Sequence, residues 1–337
     1  MNELFEKVYN NQHLNRIEAE RIAEKMFEGQ LTDSQLAAFL TALKCKGETA
    51  EEMAGIADTI RRKAVLIDCQ KDNVMDNCGT GGDRSGSFNI STTAAFVLAS
   101  GGVTVAKHGN RSISSKSGSA DIFECLGVNI NLSPERTSLL LEEVGLAFLF
   151  APHLHPKMKY VMKVRKELGT PTVLNLIGPL TNPVSLDSQL MGTYRRDLLA
   201  ETAKTLSELG RSRAVVVNGA GGLDEASLAG TTHFALLQDK QITMHTIEPE
   251  EFGFARLPLE SIRGGNAKQN TEILLSILKN QASPYLDTVL LNAGLGFFSN
   301  GKVTTIQAGI SLAKECVASG AAMAKLEQLI QVQKEVA

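Results

Sequence analysis

Between residues 76 and 121 the chain concentrates groups that suit a polyanion. Gly79-Thr80-Gly81-Gly82-Asp83 is followed by Ser87 and by Asn89-Ile90-Ser91-Thr92 at an expected helix start. Lys107-His108-Gly109-Asn110-Arg111 is followed by Ser112-Ile113-Ser114-Ser115, Ser117 and Ser119. Glycine lets backbone N–H groups approach an anion with no Cβ in the way. The hydroxyls add donors, and Lys107 and Arg111 add charge. A phosphate ester carrying several negative charges is the ligand such a set would hold. The first loop is not a nucleotide-binding P-loop, because no Gly-Lys-Ser/Thr follows at the required spacing. Nor is it a dinucleotide fingerprint, since Arg84 stands where the third glycine belongs. A lone Gly-x-Gly-Gly is as readily an ordinary strand–helix turn. Asp83 argues against that, since a carboxylate beside a phosphate cradle calls for a metal ion or a substrate amine.

Asn89 and Ser91 each offer a helix N-cap. An anion at that helix N-terminus would be favoured by the orphan N–H groups, and the Ser91 hydroxyl could reach a phosphate-bound Mg²⁺. Asn110 has both a donor and an acceptor for a carboxylate and an amine. His108, taken alone, reads as structural rather than catalytic. Asp224-Glu225 follows the apolar run AVVVNG and a glycine-rich turn. Two acids at a strand end are either surface charges or, opposite a phosphate cradle, ligands for Mg²⁺, which takes one or two protein carboxylates plus phosphate and water. Arg165 is either part of a solvated basic face with Lys163 and Lys166 or a fork for a carboxylate between two domains.

The elements that must position these groups follow from periodicity and punctuation. Residues 1–70 read as all-helical. Leu36, Phe39, Leu40 and Leu43 recur at helical spacing after the possible caps Thr32-Asp33-Ser34; Gly47 ends that helix, and Thr49 with Glu52 forms a capping box for the next, to about Arg62. From about residue 72 short apolar runs alternate with helices. The expected strands are 73–75, 103–106, 128–132, 147–150, 189–193, 214–218, 232–237 and 241–246. The expected helices lie near 90–100, 120–126, 134–144, 156–168, 195–209, 266–279, 284–298 and 304–333. Such alternation implies an α/β fold with a mostly parallel central sheet flanked by helices. Residues 165–188 interrupt it and read as a return to the helical layer. The expected organisation is a small helical domain, 1–70 with about 165–188, and a larger α/β domain, 72–164 with 189–337, hinged around 72 and 165–190. The stretch 250–265 mixes Pro, Gly and charge and is expected to be a mobile loop.

Composition sets the bounds. The 337 residues carry 43% hydrophobic and 21% charged side chains, ordinary for a globular protein, and a formal net charge of −3. With a pI near 6.1, nothing in the bulk charge points to nucleic acid or an anionic membrane. No apolar run reaches the roughly 18 residues of a membrane span. The N-terminal MNELFEKVYN lacks the apolar core of a signal peptide. The five cysteines are scattered without CxxC spacing, which reads as reduced thiols in a cytoplasmic protein.

The ordered set GTGGD, FNIST, KHGNR, SSKSGSAD, VRKELG, NLIGPLTNP and GLDEAS closely resembles the anthranilate phosphoribosyltransferase family of tryptophan biosynthesis, colinear from about residue 30 to beyond residue 310. The resemblance implies transfer of the phosphoribosyl group of 5-phosphoribosyl 1-pyrophosphate (PRPP) to the amine of anthranilate, with Mg²⁺ as cofactor and a homodimer joined through the helical domains. It implies that Gly79, Gly82, Asp83, Ser87, Asn89, Ile90, Ser91, Thr92, Lys107 and Ser119 meet PRPP or its metal, and that the run Lys107, His108, Gly109, Asn110, Arg111, Ser112, Ile113, Ser114 and Ser115 lines the phosphates. Lys107 and Asp83 would be the catalytic groups. Ser91, Asp224 and Glu225 would ligate Mg²⁺, and Gly79, Asn110 and Arg165 would meet anthranilate. One departure stands out: the family's basic residue after Leu168-Gly169-Thr170 is Pro171 here. The pyrimidine nucleoside phosphorylases share the architecture, but their extended signature is not found. A non-enzymatic, nucleic-acid-binding relative is opposed by the acidic pI and the intact motifs.

Overall fold

The computed structural model describes residues 1–112 and 116–335; Ile113, Ser114 and Ser115 of the expected phosphate loop lie outside the described residues. Helices α1 (Asn2–Tyr9), α2 (Arg16–Phe27), α3 (Asp33–Lys46) and α4 (Ala50–Arg62) form the N-terminal layer. Side-chain chemistry fixes their ends. Of the three possible caps, Thr32 takes α3: it accepts from Gln35 N–H while the Gln35 side chain accepts from Thr32 N–H. Gly47, at φ +88°, ends α3, and Thr49 with Glu52 forms the expected box on α4. Glu52 is wholly buried, yet Leu14 N–H and Lys46 Nζ reach it at 2.9 and 2.8 Å, so its charge is compensated.

Next come β1 (Met75–Asp76), α5 (Ile90–Ser100), β2 (Val105–Gly109), α6 (Ser119–Cys125), α7 (Pro134–Glu143), β3 (Leu146–Phe150) and α8 (Ala151–Leu154). Helices α9 (Lys159–Leu168) and α10 (Val173–Leu176) pack on the N-terminal layer. The chain then lays down β4 (Ser188–Gly192), α11 (Leu199–Glu208), β5 (Arg213–Asn218), β6 (Thr232–Gln238) and β7 (Gln241–Ile247), followed by α12 (Ala267–Leu278), α13 (Pro284–Asn300), α14 (Ile306–Ala318) and α15 (Ala321–Glu335). The sheet order is β3-β2-β1-β4-β5-β6-β7, parallel as far as β5 and antiparallel beyond. β1 therefore has β2 on one side and β4 on the other. The chain leaves it in both directions, and the loops at the strand C-termini part there to make a crevice.

Two apolar cores flank the sheet. On β5, Val215 and Val217 join one with α5 and α13, while Ala214 and Val216 join the other with α1–α4, α9, α10 and α11. The sheet thus forms a floor shared by both layers. The 178–184 turn is bonded to that floor: Asn182 Nδ2 donates to Asp76 Oδ2 and to Ala106 O, both at 2.9 Å, and Gln189 Nε2 donates to Pro179 O at 2.7 Å.

Four sequence expectations are corrected. Residues 128–132 are not a strand, although Val128 and Ile130 are buried. Asn129 N–H donates to Gln333 Oε1 at 2.8 Å and Asn131 N–H to Asn129 Oδ1 at 2.9 Å, so side chains take up the backbone groups that a ladder would need. The expected single helix 304–333 is α14 and α15, broken at Ser319-Gly320, where Gly320 adopts φ +80°. β2 starts two residues late, because Val103 N–H still closes the end of α5 on Leu98 O; Lys107, His108 and Gly109 are consequently strand residues rather than loop. The 250–265 stretch is pinned, with Phe254 and Ile262 buried and Ile262 O accepting from Phe88 N–H at 3.1 Å.

Candidate active site

Three strand ends bring the first loop and the acidic pair together. β1 runs into Asn77-Cys78 and the 79–83 loop, β4 into Thr193-Tyr194, and β5 into the 219–225 turn. Thr80 N–H donates to Gly192 O at 2.9 Å. Gly81 N–H donates to Asp224 Oδ2 at 2.6 Å, and Asp224 N–H to Asp83 Oδ2 at 3.4 Å. A Cβ on Gly79 would lie 2.5 Å from Asp224 Oδ2, and one on Gly192 would overlap the Asp224 carbonyl. Glycine at these two positions is what lets the acidic turn cross the sheet end. Gly81 and Gly82 adopt φ +64° and +79°, a backbone that favours glycine for a second reason.

The carboxylates repel one another. Burial, then the charge of Asp83, pushes the Asp224 carboxyl well above its ordinary range. Burial, then Asp224, pushes Glu225 up to about 8, against the pull of Lys107 and a hydrogen bond from Ser91. Lys107 is 1% exposed; its Nζ donates to Asn77 O at 3.2 Å and to Ser91 Oγ at 3.4 Å. Asp83, Asp224, Glu225, Ser91 and Lys107 thus form one continuous set at the crevice. The Ser91 hydroxyl and the carboxylates offer only oxygen, and the raised acids Asp224 and Glu225 suit a hard divalent cation.

The start of α5 differs from expectation in its cap. The Asn89 side chain does not cap the helix: its Oδ1 accepts from Asn270 Nδ2 at 2.8 Å and its Nδ2 donates to Ser117 O at 3.4 Å. Among the described residues the first-turn N–H groups have no side-chain acceptor, which is the arrangement an anion needs. Ile90 belongs to the core at 2% exposure and its N–H is taken by Phe88 O; Thr92 is equally buried. Ser87 lies at the rim, bridged to Arg263.

The second loop is more structured than its composition suggested. Asn110 O accepts from Ser119 Oγ at 3.3 Å and from Ala120 N–H at 3.2 Å, and a Cβ on Gly109 would run into Ser119. Ser112 follows at the edge of the described residues. Arg111 does not face the crevice as a free cation: its guanidinium grips Glu124 and Asp121 at 2.6–2.8 Å and sits over the Phe150 ring. It anchors the loop to α6. The His108 ring points behind the site, its Nε2 3.2 Å from His155 Nε2. Burial, then His155, then Lys107 hold His108 far below its ordinary pKa, partly offset by a hydrogen bond to the Gly178 backbone.

Arg165 lies apart, on α9. No hydrogen bond or ion pair joins it to any described residue, whereas its neighbour Lys163 is paired with Asp33. Burial lowers the Arg165 pKa, the mark of a cation lacking its counter-charge. Pro171 lines a cavity of about 240 Å³ with Lys44, Glu48, Thr172, Tyr194 and Arg195, so two cations remain near the place where the family's basic residue is missing. Sequence reasoning missed Asp76, Asn182 and His155. Asp76 carried a signal, an acid at the end of an apolar strand; Asn182 and His155 are brought in by tertiary contact alone.

The chain is similar to known proteins over its full length. Residues 2–64 match the helical bundle domain and residues 71–323 the a/b domain of a glycosyl transferase family. The chain is 60% identical over 333 residues to the anthranilate phosphoribosyltransferase of Listeria innocua, covering 99% of this chain and 98% of that one. The crystal structure of the Thermus thermophilus enzyme of that name superposes with a TM-score of 0.93 at 39% identity, over 98% of this chain and 99% of that one. The Saccharomyces cerevisiae enzyme, in complex with PRPP and Mg, gives 0.89 at 28% identity, over 99% and 97%. Likeness of this degree, end to end and in the same order, makes the chain a member of the anthranilate phosphoribosyltransferase family.

Proposed function

We infer that the chain transfers the 5-phosphoribosyl group of PRPP to the amine of anthranilate, releasing pyrophosphate, as a step of tryptophan biosynthesis. The observation that carries the reading is the meeting of Asp83 with Asp224 beside Ser91 and Lys107, at the point where the sheet's strand order diverges. In this assignment PRPP lies along Gly79, Gly82, Asp83, Ser87, Asn89 and the first turn of α5, with Ser119 and the 109–112 loop around its phosphates. Ser91, Asp224 and Glu225 would hold Mg²⁺, which when bound supplies positive charge to the phosphates. The fit rests on the raised proton affinity of the two acids, which a cation would relieve.

Displacement at the anomeric carbon leaves positive charge on the sugar and delivers negative charge to pyrophosphate. Lys107 Nζ and the uncapped N–H groups of α5 stabilise that leaving group. Arg165 takes the anthranilate carboxylate as a bidentate fork, while Asn110 and the Gly79 backbone face the ring substituents. The aromatic amine already carries its lone pair, so no activated nucleophile is required. Its proton becomes acidic as the C–N bond forms and leaves to water or a nearby carboxylate. Holding both substrates in one crevice supplies much of the remaining acceleration.

The chain is divided in this reading into 1–70 with about 165–188 and the remainder; α9 and α10 packing on α1–α4 support the grouping, although that core also takes in α11 and one face of β4–β6. A homodimer through the helical unit is supported by Tyr9, Ile17, Tyr160 and Met162, large apolar side chains exposed on α1, α2 and α9; sedimentation velocity tests it. A cytoplasmic location accords with the free thiols. Among the described residues no helix is long and apolar enough to cross a membrane. The activity is tested by loss of anthranilate fluorescence that requires both PRPP and Mg²⁺. Turnover of a pyrimidine nucleoside with phosphate, and none of anthranilate, would overturn it.

A further inference from the structure

Asp76 is the last residue of β1 and is wholly buried. Its Oδ1 accepts His108 N–H at 3.3 Å; its Oδ2 accepts Asn182 Nδ2–H at 2.9 Å and Cys78 Sγ–H at 3.2 Å. The three partners come from three segments: the strand that carries Lys107, the 178–184 turn, and the root of the glycine loop. Asn182 carries the connection onward, donating to Ala106 O at 2.9 Å and accepting Val184 N–H at 3.0 Å. The ligand atoms of Asp76, Cys78 and His108 lie within 4.8 Å of one another. They are already engaged, Asp76 with its three donors and the His108 ring with His155, so the trio is a hydrogen-bond node rather than a metal centre.

Lys107 makes this node matter for the reaction. Its ammonium is buried and, among the described residues, donates to a carbonyl and a hydroxyl with no carboxylate in contact. A buried cation so placed is costly unless an opposite charge is near. Asp76 is the carboxyl of this node: burial pushes it above its ordinary range, and Lys107 and its three hydrogen-bond donors pull it back toward the charged form. The same carboxylate holds the residue next to Lys107 by its backbone N–H.

We propose that Asp76 is a positioning residue for the transfer: one buried carboxylate fixes the backbone beside Lys107, balances its charge, and ties both to the turn bearing Asn182. The inference rests on the reading of Lys107 as the cation that meets the leaving pyrophosphate. Asp76→Asn keeps the shape but cannot accept from both His108 N–H and Asn182 Nδ2–H, and it removes the charge.

The test compares Asp76→Asn, Asn182→Ala and Lys107→Ala in the full chain, by thermal unfolding and by KM and kcat for each substrate. For Asp76→Asn we expect a cooperative unfolding transition, kcat down about 10- to 100-fold and KM for PRPP raised, with KM for anthranilate held within about threefold. A folded Asp76→Asn with wild-type PRPP kinetics overturns the inference. So does a loss in which both KM values move together, since that marks general loosening. If Asp76→Asn does not fold, Asn182→Ala decides, because it keeps the carboxylate and removes one anchor: a loss confined to kcat and the PRPP constant supports the inference, and unchanged constants overturn it. Lys107→Ala keeps the two levels apart. Wild-type activity in Lys107→Ala means that the reading of the site has failed; an inactive Lys107→Ala beside a wild-type Asp76→Asn means that only the role of Asp76 has.

Discussion

Gly192 of β4 and Asp224 of the acidic turn occupy space that only a residue without a side chain leaves open: a Cβ on Gly192 would overlap the Asp224 carbonyl. The obstacle is backbone, so no rotamer change relieves it. Gly192→Ala should therefore push the 219–225 turn off the sheet end, at about 1–3 kcal/mol for the forced shift. Because Asp224 also accepts from Gly81 N–H, the glycine loop moves with it. We expect a lower Tm together with loss of most PRPP-dependent turnover. A variant of native Tm and native kcat would show that the turn is not positioned by this contact.

The acidic pair itself is tested by Asp224→Asn with Glu225→Gln. The amides keep the shape and remove two carboxylates that burial and mutual repulsion disfavour. Turnover should fall about 100-fold or more, as expected on loss of metal ligands, while Tm holds or rises. The pH dependence follows the same sign. Each acid is raised in the folded protein, so on going up from about pH 5 to 8 the unfolded chain gives up its protons first and the metal-free protein loses stability. That slope should flatten in the double variant. Full activity, or an unchanged slope, would remove the metal assignment.

Arg165 is the third test. Its guanidinium is half-buried and has no partner among the described residues, so it is prepared for an anion that arrives with substrate. Arg165→Ala should raise KM for anthranilate about 10- to 100-fold, the value of a charged hydrogen-bonded contact, and leave KM for PRPP nearly unchanged. A rise in the PRPP constant alone would place Arg165 on the phosphate side instead.

The positions of Asp83, Ser91, Asp224 and Glu225 were legible in the sequence because each sits at an element end that punctuation marks: a glycine run, a helix start, an apolar strand followed by a turn. The capping of α3 and α4 was legible for the same reason. What could not be read was decided by partners far along the chain. Arg111 reads as a free cation until α6 folds back and offers Glu124 and Asp121. Asn89 reads as a cap until Asn270, far downstream, takes its oxygen. Residues 128–132 read as a strand because their apolar positions alternate, but Gln333 of the last helix satisfies the backbone there. Local pattern gives where groups cluster; it does not give which of them are already committed to each other.

His108 and His155 give the last test. The two Nε2 atoms are 3.2 Å apart, so one hydrogen lies between them. His108 donates its other ring N–H to the Gly178 backbone, which leaves His108 Nε2 as the acceptor and His155 Nε2–H as the donor. His155 Nδ1 then carries a bare lone pair with no partner among the described residues. A second proton on His108 would set two N–H groups face to face. Burial accordingly lowers His155 from 6.5 to about 4 and His108 also well below its usual value. Both rings are neutral in the folded protein, so their contribution is complete above about pH 6.5. It is lost as pH falls from there to about 4, where the unfolded chain binds protons that the folded one refuses. For His155 this amounts to about 3 kcal/mol. His155→Gln keeps a donor facing His108 and cannot titrate. In urea unfolding between pH 7.5 and 4.5, the wild-type stability should fall more steeply than that of the variant, by about that amount. Comparing the two chains cancels the opposite slope from Asp224 and Glu225, which both retain. Parallel curves would mean that the imidazole pair is solvated and takes up protons at its ordinary pH.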